Sequence, residues 1–394
     1  MAANREPIER LYRGLPTDTK EMFDRAIAGI VSAKEKGGKV VVVTGSGPNL
    51  HEGITTLIAE LIHKGIVDGV TTSSAVIAHE MAGALEEVKR VDGIQLGFSE
   101  AELPRGNVFE ANLMPPDLLE QLKKEMPVDT ALLEKALALD GKVIIKAAGN
   151  MAYPLGLRTE NLAKEILFIA KSKGVPFEEL AGAGADGRTM LGAAYAKGVP
   201  ILVTIPQLVG GGMVGLAIGD SISLTERAGR VAQMMQSADV IIESAVALTQ
   251  EIHDGPFETY TGHGIWSGWE GYATYSLRDK VLIRIDLDPS LRKAWEFEKD
   301  SGKVQSAIDE GLPKTKLMSI PFRMEMSGFA RLEKSIPVVA DVGVAWPIMA
   351  HRLEQELGIS LDFISYPQQS SEGQEMRKWI VENVRPIVKK KLFQ

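Results

Sequence analysis

The chain has 394 residues, 45% of them apolar and 24% charged, and carries a net charge of −8. That is enough chain to bury a large core, while the acidic balance gives no electrostatic footing for nucleic acid. Cysteine is absent, which excludes disulfides, thiolate metal ligands and a cysteine nucleophile, and fits a reducing, cytoplasmic setting.

Residues 1–36 read as a helical arm. Charges run through "MAANREPIERLYRG", so it is not a secretory signal, and segment 17–36 sets Met22, Phe23, Ile27, Ile30 and Val31 close to one helical face. From residue 37 to 394 no strong linker interrupts the pattern, and one large α/β domain is expected. Apolar runs rich in valine and isoleucine recur at 40–44, 67–72, 142–146, 200–205, 239–243, 281–286, 337–341 and 361–366. Helical segments such as 54–64 and 224–236 separate them. Strands apolar on both faces, alternating with helices, predict a doubly wound, mostly parallel, Rossmann-like sheet. In such sheets ligands bind where strands end and the following helices begin, so the residues just past each strand are the candidates.

The first of these is "TGSGPNLHEG", in which a strand meets a helix through Gly45 and Gly47. The spacing fits neither common phosphate-binding fingerprint, yet backbone N–H groups at such a turn can hold a phosphate, with Asn49, His51 and Glu52 adding polar contacts. The alternative is a glycine-eased turn before a capped helix. After the second strand, "SSAVIAHEMAGAL" supplies Ser73, Ser74 and His79, the last in a helix where a surface histidine is the ordinary reading.

Segment 198–219 carries no charge and is long enough to raise the question of a membrane span. Pro200, Pro206 and the triplet Gly210-Gly211-Gly212 would interrupt a lipid-exposed helix, so a buried strand, a glycine loop and a packed helix are expected. Two G-x-G-x-x-G matches occur, Gly182-Gly184-Gly187 after a poor strand and Gly210-Gly212-Gly215 after a good one. Among 39 glycines such matches arise by chance, but the triplet leaves backbone open to whatever occupies a cleft.

Residues 249–272, "TQEIHDGPFETYTGHGIWSGWEGY", pack His253, His263, Trp266, Trp269, Glu270 and Tyr272 into a loop too long for a passive connection. It reads as a pocket wall, with an oligomer contact or a self-packed lid as the alternative. "DKVLIRIDLDP" ends a strand in Asp286, placed to accept ribose hydroxyls, and Asp288, placed to cap a helix before Pro289. There is no H-E-x-x-H, no G-x-S-x-G and no Walker A motif, and no metal site is expected.

In this order the motifs resemble the NAD-binding deoxyhypusine synthase-like superfamily, and more closely its branch containing archaeal-type ornithine cyclodeaminase, named after the LOR/SDH conserved region. "VVVVTGSGPNLHEGITTLIAELIHKGIVDGVTTSSAVIAHEMAGAL" is similar to the family's first strand, turn, helix and "N-A-L-A-x-H-D" segment, with His79 and Glu80 on its His-Asp pair. "SADVIIESAVALTQEI", "VLIRIDLDPSLRKAWE" and "PVVADVGVAWP" resemble later elements of the same series.

The resemblance implies NAD held by Gly45, Gly47, Asn49, Ser73, Ser74, Gly211, Gly212, Ser244, Asp286 and Asp341, with a hydride taken from an amine-bearing substrate and usually returned. His263, Glu270 and His79 are the acid/base candidates, since histidine titrates near neutrality. Two departures stand out. The family's acidic loop is here Val209-Gly210-Gly211-Gly212, and no lysine follows "IWSGWEGYATY" until Lys280. The expectation is therefore an NAD-binding enzyme, lyase- or oxidoreductase-like, acting on a small amino-acid or amine-like metabolite. A non-catalytic NAD sensor and a deoxyhypusine or homospermidine synthase-like transferase are the alternatives. A homo-oligomer, dimer or tetramer, is expected, with neither nucleic acid nor membrane as partner.

Overall fold

A computed structural model describes residues 4–149, 151–244, 271, 274–322 and 324–393. Its strands are β1 (Val40–Thr44), β2 (Gly69–Thr72), β3 (Leu85–Asp92), β4 (Val108–Leu113), β5 (Lys142–Ala147), β6 (Ile201–Val203), β7 (Val240–Ser244), β8 (Val281–Asp286) and β9 (Ser335–Val339). Six of them form a parallel sheet in the order β6-β2-β1-β7-β8-β9. Counted along the chain this is 3-2-1-4-5-6, the order of dinucleotide-binding folds, and it reverses between β1 and β7.

Strand periodicity explains why the sheet is covered on both sides. Val40, Val42, Ile242 and Ile283 point to one core, shared with helices Ile54–His63 and Val342–Glu356. Val41, Val43, Ile241 and Leu282 point to the other, against helices Leu224–Ser237, Ser290–Ser301 and Met324–Arg331. The protein is thus α/β and doubly wound. Segment 198–219 holds β6, two short 3-10 turns and most of helix Met213–Ser221, and no described helix is long and apolar enough to cross a membrane.

The N-terminal helices Glu6–Gly14 and Thr17–Glu35 pack onto this body through Ile8, Phe23, Ile27 and Ile30. Arg5 fastens the start, donating to both carboxylate oxygens of Glu354 at 2.8 and 2.7 Å and to the Leu361 carbonyl at 3.0 Å. That ion pair holds the Glu354 carboxyl down at about 2.

Two strand expectations need correction. The run 142–146 is a strand, but not of the parallel sheet: as β5 it pairs antiparallel with β3 in a second sheet ordered β4-β3-β5. β3 and β4 escape a hydropathy reading because their charges pair across the sheet. Asn112 donates to Glu86 at 2.7 Å and Lys146 to Glu110 at 2.6 Å. The run 361–366, buried apart from Asp362, forms no strand, because other groups take its backbone donors. Leu361 N donates to Glu354, Asp362 N to Glu60 and Tyr366 N to the Met376 sulfur.

Burial raises the carboxyls of Glu80 and Glu86 alike and couples the fold to pH. Glu80 lies in the core and accepts from Met190 N (2.9 Å) and Leu191 N (3.0 Å), capping helix Met190–Lys197, while burial pushes its pKa from 4.5 to about 7. Between those values the folded chain keeps a proton that the unfolded chain has released, so stability falls as pH rises through this window. Denaturant titrations from pH 4.5 to 7 are expected to show that loss reduced by roughly 1–3 kcal/mol in Glu80→Gln. An unchanged slope would refute the assignment.

Candidate functional site at the switch point

The exits of β1 and β7 are joined by a buried chain of hydrogen bonds. Trp346 Nε1 donates to Ser244 Oγ (2.8 Å), Ser244 Oγ donates to Asn49 Oδ1 (2.6 Å), and Asn49 Nδ2 donates to the Gly45 carbonyl (2.5 Å). Asn49 and Ser244 are fully buried and Trp346 nearly so. The polar atoms of Asn49 and Ser244 thus engage protein groups beneath the turn.

Above them lies the turn, with Gly45 buried and Gly47 half-buried. A Cβ on Gly45 would stand 3.6 Å from Ser73 Cβ, an ordinary contact distance, so the β1 and β2 exits lie side by side. A Cβ on Gly47 would come no closer than 3.8 Å to His51 Cδ2, which lays the His51 ring over the turn. At Gly53 glycine is required twice over. Its φ is +69°, and a Cβ there would collide with the Met376 sulfur at 2.6 Å. That close approach brings helix Ser371–Asn383 to the cleft.

The remaining strand-exit residues are placed as follows. Ser73 caps helix Ser74–Met81, accepting from Val76 N at 3.3 Å. Ser74 Oγ donates to the Gln207 carbonyl and accepts from Gly211 N, both at 2.9 Å, and so clamps the glycine loop onto that helix. Gly211 is buried there, whereas Gly212 is exposed, with φ +60° and ψ −131°. Asp341 caps helix Val342–Glu356 through Gly343 N (2.7 Å) and neighbours Glu52, whose carboxyl is raised by burial and further by the Asp341 charge. Asp286 Oδ1 accepts from Asp288 N, and Asp288 Oδ1 from Ser290 N, each at 2.8 Å. Asp286 is half-buried at the end of β8, across the switch point from β2. His263, Glu270 and the segment 249–272, apart from Gly271, lie outside the described residues.

Two histidines meet beside the turn. His79 Nδ1 lies 2.6 Å from the Ala148 carbonyl, which can only accept, so Nδ1 carries the proton and Nε2 the lone pair. His51 Nδ1 lies 3.2 Å from Arg377 Nη2, which can only donate, so here Nδ1 accepts and Nε2 carries the proton. Burial lowers both pKa values, helped at His51 by Arg377, His79 and Lys146 and at His79 by Lys146. The hydrogen bonds therefore assign two neutral imidazoles in opposite tautomers, one offering an N–H and the other a lone pair.

Arg377 and Lys146 were not among the sequence candidates. Neither follows a strand of the parallel sheet, so no strand-exit rule points to them. At the ends of β1 and β2 the hydroxyls of Thr44 and Thr72 are buried and have no hydrogen-bond partner among the described residues. Orphaned hydroxyls at adjacent strand ends beside a glycine turn fit a ligand rich in oxygen acceptors, as a dinucleotide is.

The chain matches no known family model and no curated protein sequence. Among solved structures it is similar to a protein from Entamoeba histolytica assigned as a deoxyhypusine synthase, at 11% identity and a TM-score of 0.43, covering 92% of this chain and 96% of that one. It is similar to a conserved LOR/SDH protein of Methanococcus maripaludis S2, at 14% identity and TM-score 0.36, covering 90% and 69%. It is also similar to AgrE in ternary complex with ornithine and NAD+, at 14% identity and TM-score 0.39, covering 88% of this chain and 34% of AgrE. This chain spans about a third of the length of AgrE and of the cyanobacterial arginine dihydrolase ArgZ.

Two outcomes are expected. Nitrogen-detected NMR finds His79 protonated at Nδ1 and His51 at Nε2, both titrating below 6.5. Ser244→Ala leaves Trp346 Nε1 and Asn49 Oδ1 without their partner and lowers unfolding free energy by about 1–3 kcal/mol; a neutral effect would show that the buried chain does not hold the turn.

Proposed function

We propose that the chain is an enzyme that binds NAD across the switch point and uses it for hydride chemistry, transient within the turnover, on a small amino-acid or amine-like metabolite. The observation that carries this reading is the pair of neutral imidazoles in opposite tautomers beside the exits of β1 and β2 in a 3-2-1-4-5-6 sheet. Removing a hydride from a carbon bearing nitrogen or oxygen also requires a proton to leave the heteroatom, so a base must stand next to the hydride acceptor.

NAD, when bound, supplies that acceptor. The residues of the chain do the rest. The turn at Gly45 and Gly47 receives phosphate oxygens with its backbone, aided by the Ser73, Thr44 and Thr72 hydroxyls. Asp286 takes ribose hydroxyls, while Gly211, Gly212, Ser74 and Asp341 frame the cleft. Asn49 and Ser244 hold the turn in shape from below. His79 Nε2 accepts the substrate proton and, as the imidazolium, gives it back when the hydride returns, while His51 keeps its Nε2 proton and orients the heteroatom as a hydrogen-bond donor. A low pKa in both rings keeps this acceptor and donor in place at neutral pH.

Calorimetry and native mass spectrometry are expected to detect NAD on the purified protein. Gly45→Leu, which presses a bulky side chain against Ser73, is expected to lower that affinity at least about tenfold, and thermal unfolding checks that the variant is folded. Absence of NAD binding by the native chain would overturn the reading. Binding without any absorbance change at the reduced-nicotinamide band across amino acids and amines would favour a sensor instead.

A further inference from the structure

The parallel sheet has an edge at β6, and the outward-facing residues of that strand are treated differently. Val70 N donates to the Pro200 carbonyl at 3.0 Å in the register Val70↔Ile201, so the residues flanking Ile201 bond inward to β2. Alternation then turns the backbone N–H and C=O of Ile201 and Val203 outward. At Val203 both are covered, as exposed edges commonly are. Its N–H donates to Glu178 Oε1 at 2.7 Å and its carbonyl accepts from Arg227 Nη1 at 3.0 Å, within a fully buried ion pair. At Ile201 neither group has a hydrogen-bond partner among the described residues.

Beside Ile201 lies a cavity of about 640 Å³, within the range of small-molecule sites. Leu191, Ala194, Leu202 and Met234 give it apolar walls, and the exposed Tyr195 adds an aromatic ring. Its charges are already answered. Glu178 pairs with Arg227 and Arg230 with Glu226 at 2.7 Å, while Lys39 and Glu179 are exposed and opposite in sign. Lys39 precedes β1 and Pro200 precedes β6, so the cavity lies at the end of the sheet opposite the strand exits. It shares no residue with the switch-point cleft, and its occupancy is independent of NAD.

A free donor and a free acceptor on one extended residue match a ligand that sets an acceptor beside a donor. An added peptide strand would need the next outward residue as well, and the Glu178–Arg227 pair occupies it. We infer that this cavity binds an uncharged, amino-substituted nitrogen heterocycle of the purine type. The ring nitrogen accepts from Ile201 N–H, the amino group donates to the Ile201 carbonyl, and the apolar walls cover the ring faces.

The test uses the full chain, with and without NAD, and adenine as the probe, read by NMR of the backbone amides and by calorimetry. Adenine is expected to shift the Ile201 and Leu202 amide signals, and to do so equally when NAD is present. Its dimethylamino analogue, which has lost the amino donors, binds at least about tenfold more weakly at these signals. Ile201→Pro removes the outward N–H and none of the bonds to β2, and it lowers adenine affinity, followed at Leu202, about tenfold or more. Adenine that leaves Ile201 unmoved, shifts only Gly45 and Ser73, or is displaced from Ile201 by NAD overturns the assignment. So does equal affinity for the dimethylamino analogue or in a folded Ile201→Pro. Should Ile201→Pro fail to fold, the comparison of adenine with its analogue on the native chain decides. A native chain that takes adenine at Ile201 but never NAD sinks the cofactor reading and leaves the edge site standing.

Discussion

The hydrogen-bond chain from Trp346 through Ser244 and Asn49 to the Gly45 carbonyl is the constraint on which the cleft depends. It links the exits of β1 and β7 to the helix after β9, at the place where the strand order reverses. A parallel sheet leaves its strand ends diverging, and loops there have many conformations. Three buried bonds with every partner satisfied select one of them, and they do so without occupying the upper face of the turn. Gly45 and Gly47 can then stay bare, since the shape of their turn is set from below.

The same site is organised by how charge is handled. Elsewhere the fold neutralises buried ions in pairs, as at Arg227 and Glu178. Around the turn it keeps imidazoles neutral instead, by burying them and by surrounding His51 with cations. Neutrality is what lets each ring present a different face, a lone pair at His79 and an N–H at His51. The antiparallel sheet matters here because the edge of β5 and the carbonyl just beyond it supply the acceptors that orient His79 and Arg377.

Sequence reading located most strands of the parallel sheet because Val40–Thr44, Val240–Ser244 and Val281–Asp286 are apolar on both faces, a pattern with few other uses. It failed at β3 and β4, where Glu86 and Glu110 look like surface residues until their cross-strand partners Asn112 and Lys146 are known. It failed again at 361–366, where an apolar run has its backbone hydrogen-bonded to side chains such as Glu354 and Glu60. Within the site, Ser73 as a helix cap and Asp288 as a turn former follow from local chemistry. Asn49 is different: nothing near it in the chain says that its amide oxygen faces a serine 195 residues away.

What the sequence determined by itself was therefore local: the α/β alternation, the glycine turn, and which loops sit at strand ends. Each follows from periodicity or from a residue's own backbone freedom. Tertiary structure alone decided that His51, His79, Lys146 and Arg377 gather beside the glycine turn. They come from four separate stretches, and their tautomers and charge states depend on carbonyls and guanidinium groups that only folding brings within reach.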